Sequence, residues 1–265
     1  MNNRYIGALI LSPLLVFLFI GGIYLKYLVF ILSLMGLYEF YKVIKEKEIN
    51  SFSIIGYIFC IIYYIYMGEN INTEFIFYII VLATIISLII PVIDVKYNFI
   101  DSAATILGCI YVPVFFSFIV AVNNKMNGNY FVWLIFIASW VGDTSAYYTG
   151  KYFGNNKLCP KVSPKKTIEG SIGGLLGSAI GCGIFGFFII NKGVNILLIH
   201  FIILGVLSGI LSQLGDLVAS SIKRYAGVKD YSNLIPGHGG ILDRFDSILF
   251  STVAVYYYLN FIIGI

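Results

Sequence analysis

Nine stretches of near-continuous apolar residues, each about as long as a membrane-crossing helix, set the limits on what this chain can fold into. A spanning helix needs about 20 apolar residues, and the runs fall at 5–23, 25–44, 52–68, 74–93, 102–122, 129–149, 171–190, 194–219 and 246–264. Only short polar breaks separate them, so a chain of 265 residues has little left for a domain outside the membrane. A transmembrane barrel would need segments of about ten residues alternating apolar and polar, and Ile6 to Ile20 and Ile106 to Val122 do not alternate. The expected fold is all-α: a polytopic helical membrane protein with about nine transmembrane helices. Composition agrees, since 11% charged residues is far below the roughly 25% of a soluble domain. The N-terminal run follows Asn2-Asn3-Arg4 and has no small-x-small cleavage site before the next run, so it reads as an uncleaved first span.

The net charge of +4 excludes a nucleic-acid-binding protein of this size, and the position of the charges is more informative than their sum. Alternating the linkers between the two sides places fourteen basic residues on one side and only Lys26, Lys125 and Lys192 on the other. By the positive-inside rule, the N-terminus is expected in the cytoplasm and the C-terminus outside. The two substantial loops, 150–170 and 220–245, lie on the basic side and hold nine of the 17 Lys and Arg residues. The expected organisation is a set of N-terminal transmembrane helices at 1–125, followed by a transmembrane core at 126–265 carrying those two cytoplasmic loops, which is where any chemistry is expected. Cys60, Cys109, Cys159 and Cys182 are widely spaced and form neither a disulfide framework nor a paired-cysteine metal site.

Carboxylates inside apolar segments are costly and mostly face a polar interior or a partner. In the C-terminal half, Asp143, Asp216, Asp243 and Asp246 sit in or at the ends of spans, and the topology brings all four to one depth beside both basic loops. Each alone could pair with a nearby Lys or Arg, but four together exceed what solubility requires. Asp216, Ser220 and Lys223 are spaced i, i+4, i+7 and share one helix face, and Asp243 and Asp246 share another. Oxygen-only ligands of this kind suit Mg²⁺ and make zinc a poor candidate. Pro236-Gly237-His238-Gly239-Gly240 precedes the last helix, whose N-terminus could dock an anion; the glycines could equally just turn the chain. Lys165-Lys166-Thr167 before Glu169-Gly170-Ser171 reads either as a basic flank or as a phosphate clamp. Gly170, Gly173, Gly174, Gly177, Ser178 and Gly181 give a small-residue face for close helix packing, within one subunit or between two as a homodimer. His200 falls on the opposite side with no companion.

The string Ser220-Ser221-Ile222-Lys223-Arg224, then Lys229-Asp230, then Leu234-Ile235-Pro236-Gly237-His238-Gly239-Gly240-Ile241-Leu242-Asp243-Arg244-Phe245-Asp246 closely resembles the signature of the phosphatidate cytidylyltransferases, the CDP-diacylglycerol synthases. The resemblance extends to Gln213-Leu214-Gly215-Asp216 and to Asp143-Thr144-Ser145-Ala146-Tyr147 with Gly150, Lys151, Gly154 and residues 163–170. It covers residues 130–250; the first hundred residues match only in hydropathy.

The resemblance implies transfer of a cytidylyl group from CTP to phosphatidic acid, with CDP-diacylglycerol and pyrophosphate as products. It implies catalytic roles for Asp216, Lys223, Arg224, His238, Asp243 and Arg244, with Asp216 and Asp243 holding Mg²⁺. Substrate contacts are expected from Asp143, Lys166, Thr167, Glu169, Ser220, Lys229, Gly239, Gly240 and Asp246. The abundance of Ile, Tyr, Asn and Lys fits an AT-rich bacterial genome, and the expected location is the bacterial inner (plasma) membrane, with the active site on the cytoplasmic side. The rival readings are a CTP-using enzyme acting on another lipid, such as a polyprenol kinase, and an ion-coupled transporter. No matching interrupted spans appear in the two halves, which counts against the transporter.

Overall fold

The computed structural model describes residues 15–68 and 72–265. The first apolar run is broken at its end, because Gly21 and Gly22 take φ of 67° and 57°, a backbone that glycine adopts without steric cost. The rest of that run, up to residue 14, lies outside the described residues. Helix α1 (Gly22–Lys45) starts at this break, where the Gly22 N–H donates to Asn123 Oδ1 at 3.0 Å. Then follow α2 (Ser53–Tyr66), α3 (Thr73–Ile93), α4 (Phe99–Cys109), a π-helical turn (Ile110–Val114) and α5 (Phe115–Asn123). Pro113 lies in the π turn. A proline in a helix removes one N–H and crowds the carbonyl four residues back, and the wider turn accommodates this while Tyr64 Oη donates to the Pro113 carbonyl at 3.2 Å.

Next come α6 (Gly128–Phe153), the strands β1 (Lys157–Cys159) and β2 (Ser163–Thr167), α7 (Ile168–Ile190), α8 (Leu198–Ala226) and α9 (Leu242–Tyr257), which ends in a second π-helical segment (Tyr258–Ile263). The chain divides into two compact units: residues up to Asn124 with Ile222–Arg244, and Lys125–Ser221 with Phe245–Ile265. Helices α8 and α9 contribute residues to both.

In the first unit Tyr41 is the wedge between α1, α2 and α4. A Cβ at Gly56 or at Gly108 would collide with its ring, and its buried hydroxyl donates to the Thr105 carbonyl at 2.9 Å. In the second unit α6 and α7 close on each other through small residues. Gly173 faces Thr149, Gly177 faces Ser145 and Gly142 faces Ser178, and a Cβ on any of these glycines would overlap the partner. Ser178 Oγ then reaches the Ala138 carbonyl at 2.7 Å. Without a hydrophobic drive between helices in lipid, close backbone approach of this kind is what holds them together. The small-residue face of α7 is therefore covered by α6 of the same chain.

Among the described residues, six helices are long and apolar enough to cross a membrane: Gly22–Lys45, Thr73–Ile93, Phe99–Asn123, Ile168–Ile190, Leu198–Ala226 and Leu242–Ile263. The protein is a polytopic helical membrane protein, but the count of nine is not reproduced among the described residues. The run at 52–68 yields a helix of only 14 residues, and α6, with 26 residues, carries Gly, Ser, Thr and Asp along its length. The helices also extend past the apolar runs. Lys151, Lys223 and Arg224 lie in the last turns of α6 and α8, where cations suit the negative end of the helix dipole. His200 has a companion after all, since its Nδ1 lies 2.9 Å from Tyr258 Oη; the chain returns through α9 to the level of the start of α8, which local sequence does not reveal. Gly177→Val is expected to force α6 and α7 apart at a cost of about 1–3 kcal/mol, read as a lower melting temperature in detergent. Exposed Ile180→Val is expected to change stability by less than about 0.5 kcal/mol.

Candidate active site

The second unit brings Asp143 of α6, Lys166 of β2 and Asp216 of α8 to one cavity of about 340 Å³, with Ser171 and Gln213 also on its wall. Residues 154–167, expected as plain loop, form an antiparallel hairpin with Lys157 opposite Thr167 and Cys159 opposite Ser163. The hairpin delivers Lys166 Nζ to within 2.6 Å of Asp216 Oδ2. Thr167 ends β2 and starts α7, its Oγ1 accepting from the Gly170 N–H at 3.1 Å. Gly150, Gly154 and Gly170 all pack against that threonine, and a Cβ on any of them would overlap it. Ser171 Oγ donates to Gln213 Oε1, and Gln213 Nε2 returns to the Ser171 carbonyl at 3.0 Å.

The carboxylates of this unit differ in what surrounds them. Ser220 Oγ donates to Asp216 Oδ1 at 3.2 Å, as the i, i+4 spacing predicts. Asp246 Oδ1 accepts from the Ser247 N–H at 2.8 Å. The Ser247 hydroxyl lies 3.2 Å from that same oxygen and 3.3 Å from Asp143 Oδ2. Glu169 does not line the cavity; it receives the Asn156 backbone N–H at 3.1 Å and side chain at 2.8 Å, tying the start of α7 to the start of the hairpin.

The first unit holds the remaining motif residues. Asp243, at 2% side-chain exposure, pairs with Lys223 at 2.7 Å. Its other oxygen accepts from the backbone N–H of Tyr231 at 2.8 Å and of Gly240 at 2.9 Å. Gly237 and Gly239 have φ of 74° and 79°, and an isolated bridge joins Ile235 to Gly239, so Pro236-Gly237-His238 is the tip of a tight turn. Its conformation needs glycine at both positions. Arg224 Nη1 donates to the Val228 carbonyl at 3.0 Å, and Val228 N–H reaches back to the Lys223 carbonyl at 2.9 Å around Gly227, a Schellman ending of α8. Arg224 thus closes its own helix. Lys229 and Arg244 are exposed.

Glu39 of α1 was not among the residues singled out from the sequence. Its buried carboxylate accepts from Ser232 Oγ at 2.6 Å and from the N–H groups of Ile241 and Leu242 at 2.9 and 2.8 Å. A carboxylate within an apolar run is the signal that could have found it. Ser247, beside Asp246 in the chain, was also missed and carried no signal of its own.

As for a metal, no group of three or more His, Cys, Asp or Glu comes together among the described residues. Asp143 and Asp216 on one cavity wall nevertheless fit Mg²⁺, which takes one or two carboxylates and fills its shell with water and phosphate oxygens. Asp243 in this arrangement has both oxygens engaged, by Lys223 on one side and two backbone N–H groups on the other.

These clusters are built from the segments that carry the signature, and the model of the cytidylyltransferase family matches residues 2–262. The chain belongs to the cytidylyltransferase family. The phosphatidate cytidylyltransferase of Staphylococcus haemolyticus is 41% identical over 156 residues, 58% of each chain. That of Staphylococcus saprophyticus is 37% identical over 155 residues, again 58% of each. In both alignments this cytidylyltransferase-family chain spans 58% of the relative's length. The phosphatidate cytidylyltransferase of Staphylococcus epidermidis is similar over nearly the whole chain, 34% identical across 259 residues, 94% of this chain and 95% of that one.

Asp243→Ala is expected to leave the buried Lys223 without its carboxylate, with only the Tyr231 ring beside it, and to free the 231–240 turn. Breaking a buried pair in this way costs about 3–5 kcal/mol, to be read from unfolding in detergent. Arg224→Lys is expected to be milder, since only one hydrogen bond at a helix end is lost.

Proposed function

We propose that this chain transfers the cytidylyl group of CTP to phosphatidic acid, forming CDP-diacylglycerol and releasing pyrophosphate for phospholipid synthesis. The observation that carries this reading is the cavity on which Asp143, Lys166 and Asp216 meet, in a chain of the cytidylyltransferase family. It offers oxygen ligands and a cation in a space large enough for part of a nucleotide.

The reaction is an in-line attack by a phosphate oxygen of the lipid on the α-phosphorus of CTP; the P–O bond to the β-phosphate breaks and pyrophosphate leaves. The attacking oxygen is already anionic, so no general base is required, and the work of the protein is positioning and charge stabilisation. Asp143 and Asp216 would hold Mg²⁺, which when bound neutralises nucleotide phosphate charge and helps the pyrophosphate depart. Lys166, balanced by Asp216, stands ready to turn to a phosphate. Thr167 and Ser171 open α7, where the helix N-terminus favours an anion.

In the first unit, the exposed Lys229 and Arg244 are the cations for lipid or nucleotide phosphate, with Arg244 able to fork across two oxygens. His238 and the glycines beside it shape a phosphate-sized turn. Lys223 and Asp243 hold that turn in place in the arrangement described, and Asp243 would reach a metal only by exchanging one of its present partners. Ser220 orients Asp216, and Ser247 orients Asp143 and Asp246. The basic loops support an active site on the cytoplasmic side of a bacterial inner membrane. The α7 face that prompted the idea of a homodimer is covered by α6 and lends it no support.

The test is pyrophosphate release by the purified, detergent-solubilised protein supplied with CTP and Mg²⁺, with and without phosphatidic acid. Lipid-dependent release is the expected outcome; CDP formed from CTP when a polyprenol is supplied would identify a lipid kinase instead. Asp216→Asn and Asp143→Asn are each expected to lower kcat by at least about 100-fold while the protein still inserts and purifies, and normal turnover in both would rule out the carboxylate pair as the metal holder.

A further inference from the structure

We propose that Glu39 is a positioning residue for the cytidylyl-transfer step, acting through the backbone of the turn that carries His238 and Asp243. This inference rests on the reaction proposed above. Glu39 lies in α1, within the first hundred residues that carry no motif, yet everything its carboxylate touches belongs to the signature segment. At 1% exposure, it accepts three hydrogen bonds: from Ser232 Oγ at 2.6 Å on the incoming limb of the turn, and from Ile241 and Leu242 N–H at 2.9 and 2.8 Å on the outgoing limb.

A carboxylate buried this deeply is tolerated only when donors replace the water it has lost. Here the donors include the first free N–H groups of α9, where a negative charge also meets the positive end of the helix dipole. Three successive amides are thereby shared between two acids, Gly240 to Asp243 and Ile241 and Leu242 to Glu39. A second observation agrees: a Cβ at Gly240 would overlap the Glu39 carboxylate, so the last glycine of Pro236-Gly237-His238-Gly239-Gly240 leaves room for this side chain. Remove the carboxylate and two buried amides lose their acceptor; replace one of its oxygens with an amide nitrogen and one of them does. The turn is then free to rotate about residues 240–242, and Asp243, the next residue, moves with it.

The discriminating variant is Glu39→Gln, which keeps the shape but replaces one acceptor oxygen with a donor that faces N–H groups. Purified in full length beside the wild type, it is expected to lose kcat by at least about tenfold, while KM for CTP and for phosphatidic acid changes by less than about threefold. Deuterium exchange is expected to speed up in peptides covering 231–243 and to stay unchanged across 99–123. Wild-type kcat in a folded Glu39→Gln protein overturns the proposal. So does faster exchange spread evenly through the chain, which would mean a general structural role. If the variant does not fold, Ser232→Ala removes only the third donor and is expected to lower kcat about threefold with faster exchange in the same segment; wild-type values of both would overturn the idea. If the wild type itself releases no pyrophosphate, the reaction is misassigned, and the exchange data still decide whether Glu39 holds the turn.

Discussion

Backbone N–H groups left over where helices start, in a chain surrounded largely by hydrocarbon, are the constraint on which this structure turns. Each unsatisfied group in such surroundings costs several kcal/mol, and water is not at hand for the buried ones. The chain meets this demand with side-chain oxygens. Asp101, almost fully buried, accepts from Asn50 and Asn98 N–H at 2.6 and 2.8 Å. Glu39 and Asp243 do the same around the start of α9, Thr167 at the start of α7, and Asn123 at the start of α1. Acids in the apolar segments are thus mostly fasteners of backbone, placed where a helix begins and a negative charge is favoured by the dipole.

That use of carboxylates separates the acids into two kinds. Those of the fastening kind, Glu39, Asp101 and Asp243, each accept two backbone N–H groups of the same chain, Asp243 alongside Lys223 and Glu39 alongside Ser232. Asp143 and Asp216 line a cavity instead, and their partners are side chains, a lysine and hydroxyls. The distinction is one of partner chemistry, which sequence position does not carry, so the four acids look alike in the sequence.

The helical membrane class and the family were legible because hydropathy and a long ordered motif are local properties. The Asp216–Ser220 hydrogen bond was legible for the same reason, being one helical turn. The hairpin was not: Lys157-Leu158-Cys159 and Ser163-Pro164-Lys165-Lys166-Thr167 show no apolar alternation, and what the sequence does not display is that Thr167 pairs with Lys157 and packs on Gly150 and Gly154 at the end of α6. Glu39 was illegible as a partner of the motif because it stands about 200 residues away in the chain, 202 from Ile241. His200 and Tyr258 were missed on the same ground, being 58 residues apart. What sequence spacing cannot express is which distant amide a buried oxygen will find.

Thr167 bears on how the motif itself is to be understood. Three glycines spread over twenty-one positions, Gly150, Gly154 and Gly170, are all hollowed to fit one side chain. They act together as one tight corner: a Cβ at any of them would meet the Thr167 hydroxyl, and at Gly154 or Gly170 a backbone carbonyl as well, so no change at Thr167 alone would make room at those two. Part of a pattern that looks like nucleotide chemistry is therefore a record of steric fit: the glycines mark where two helices and a hairpin share a corner too small for anything more.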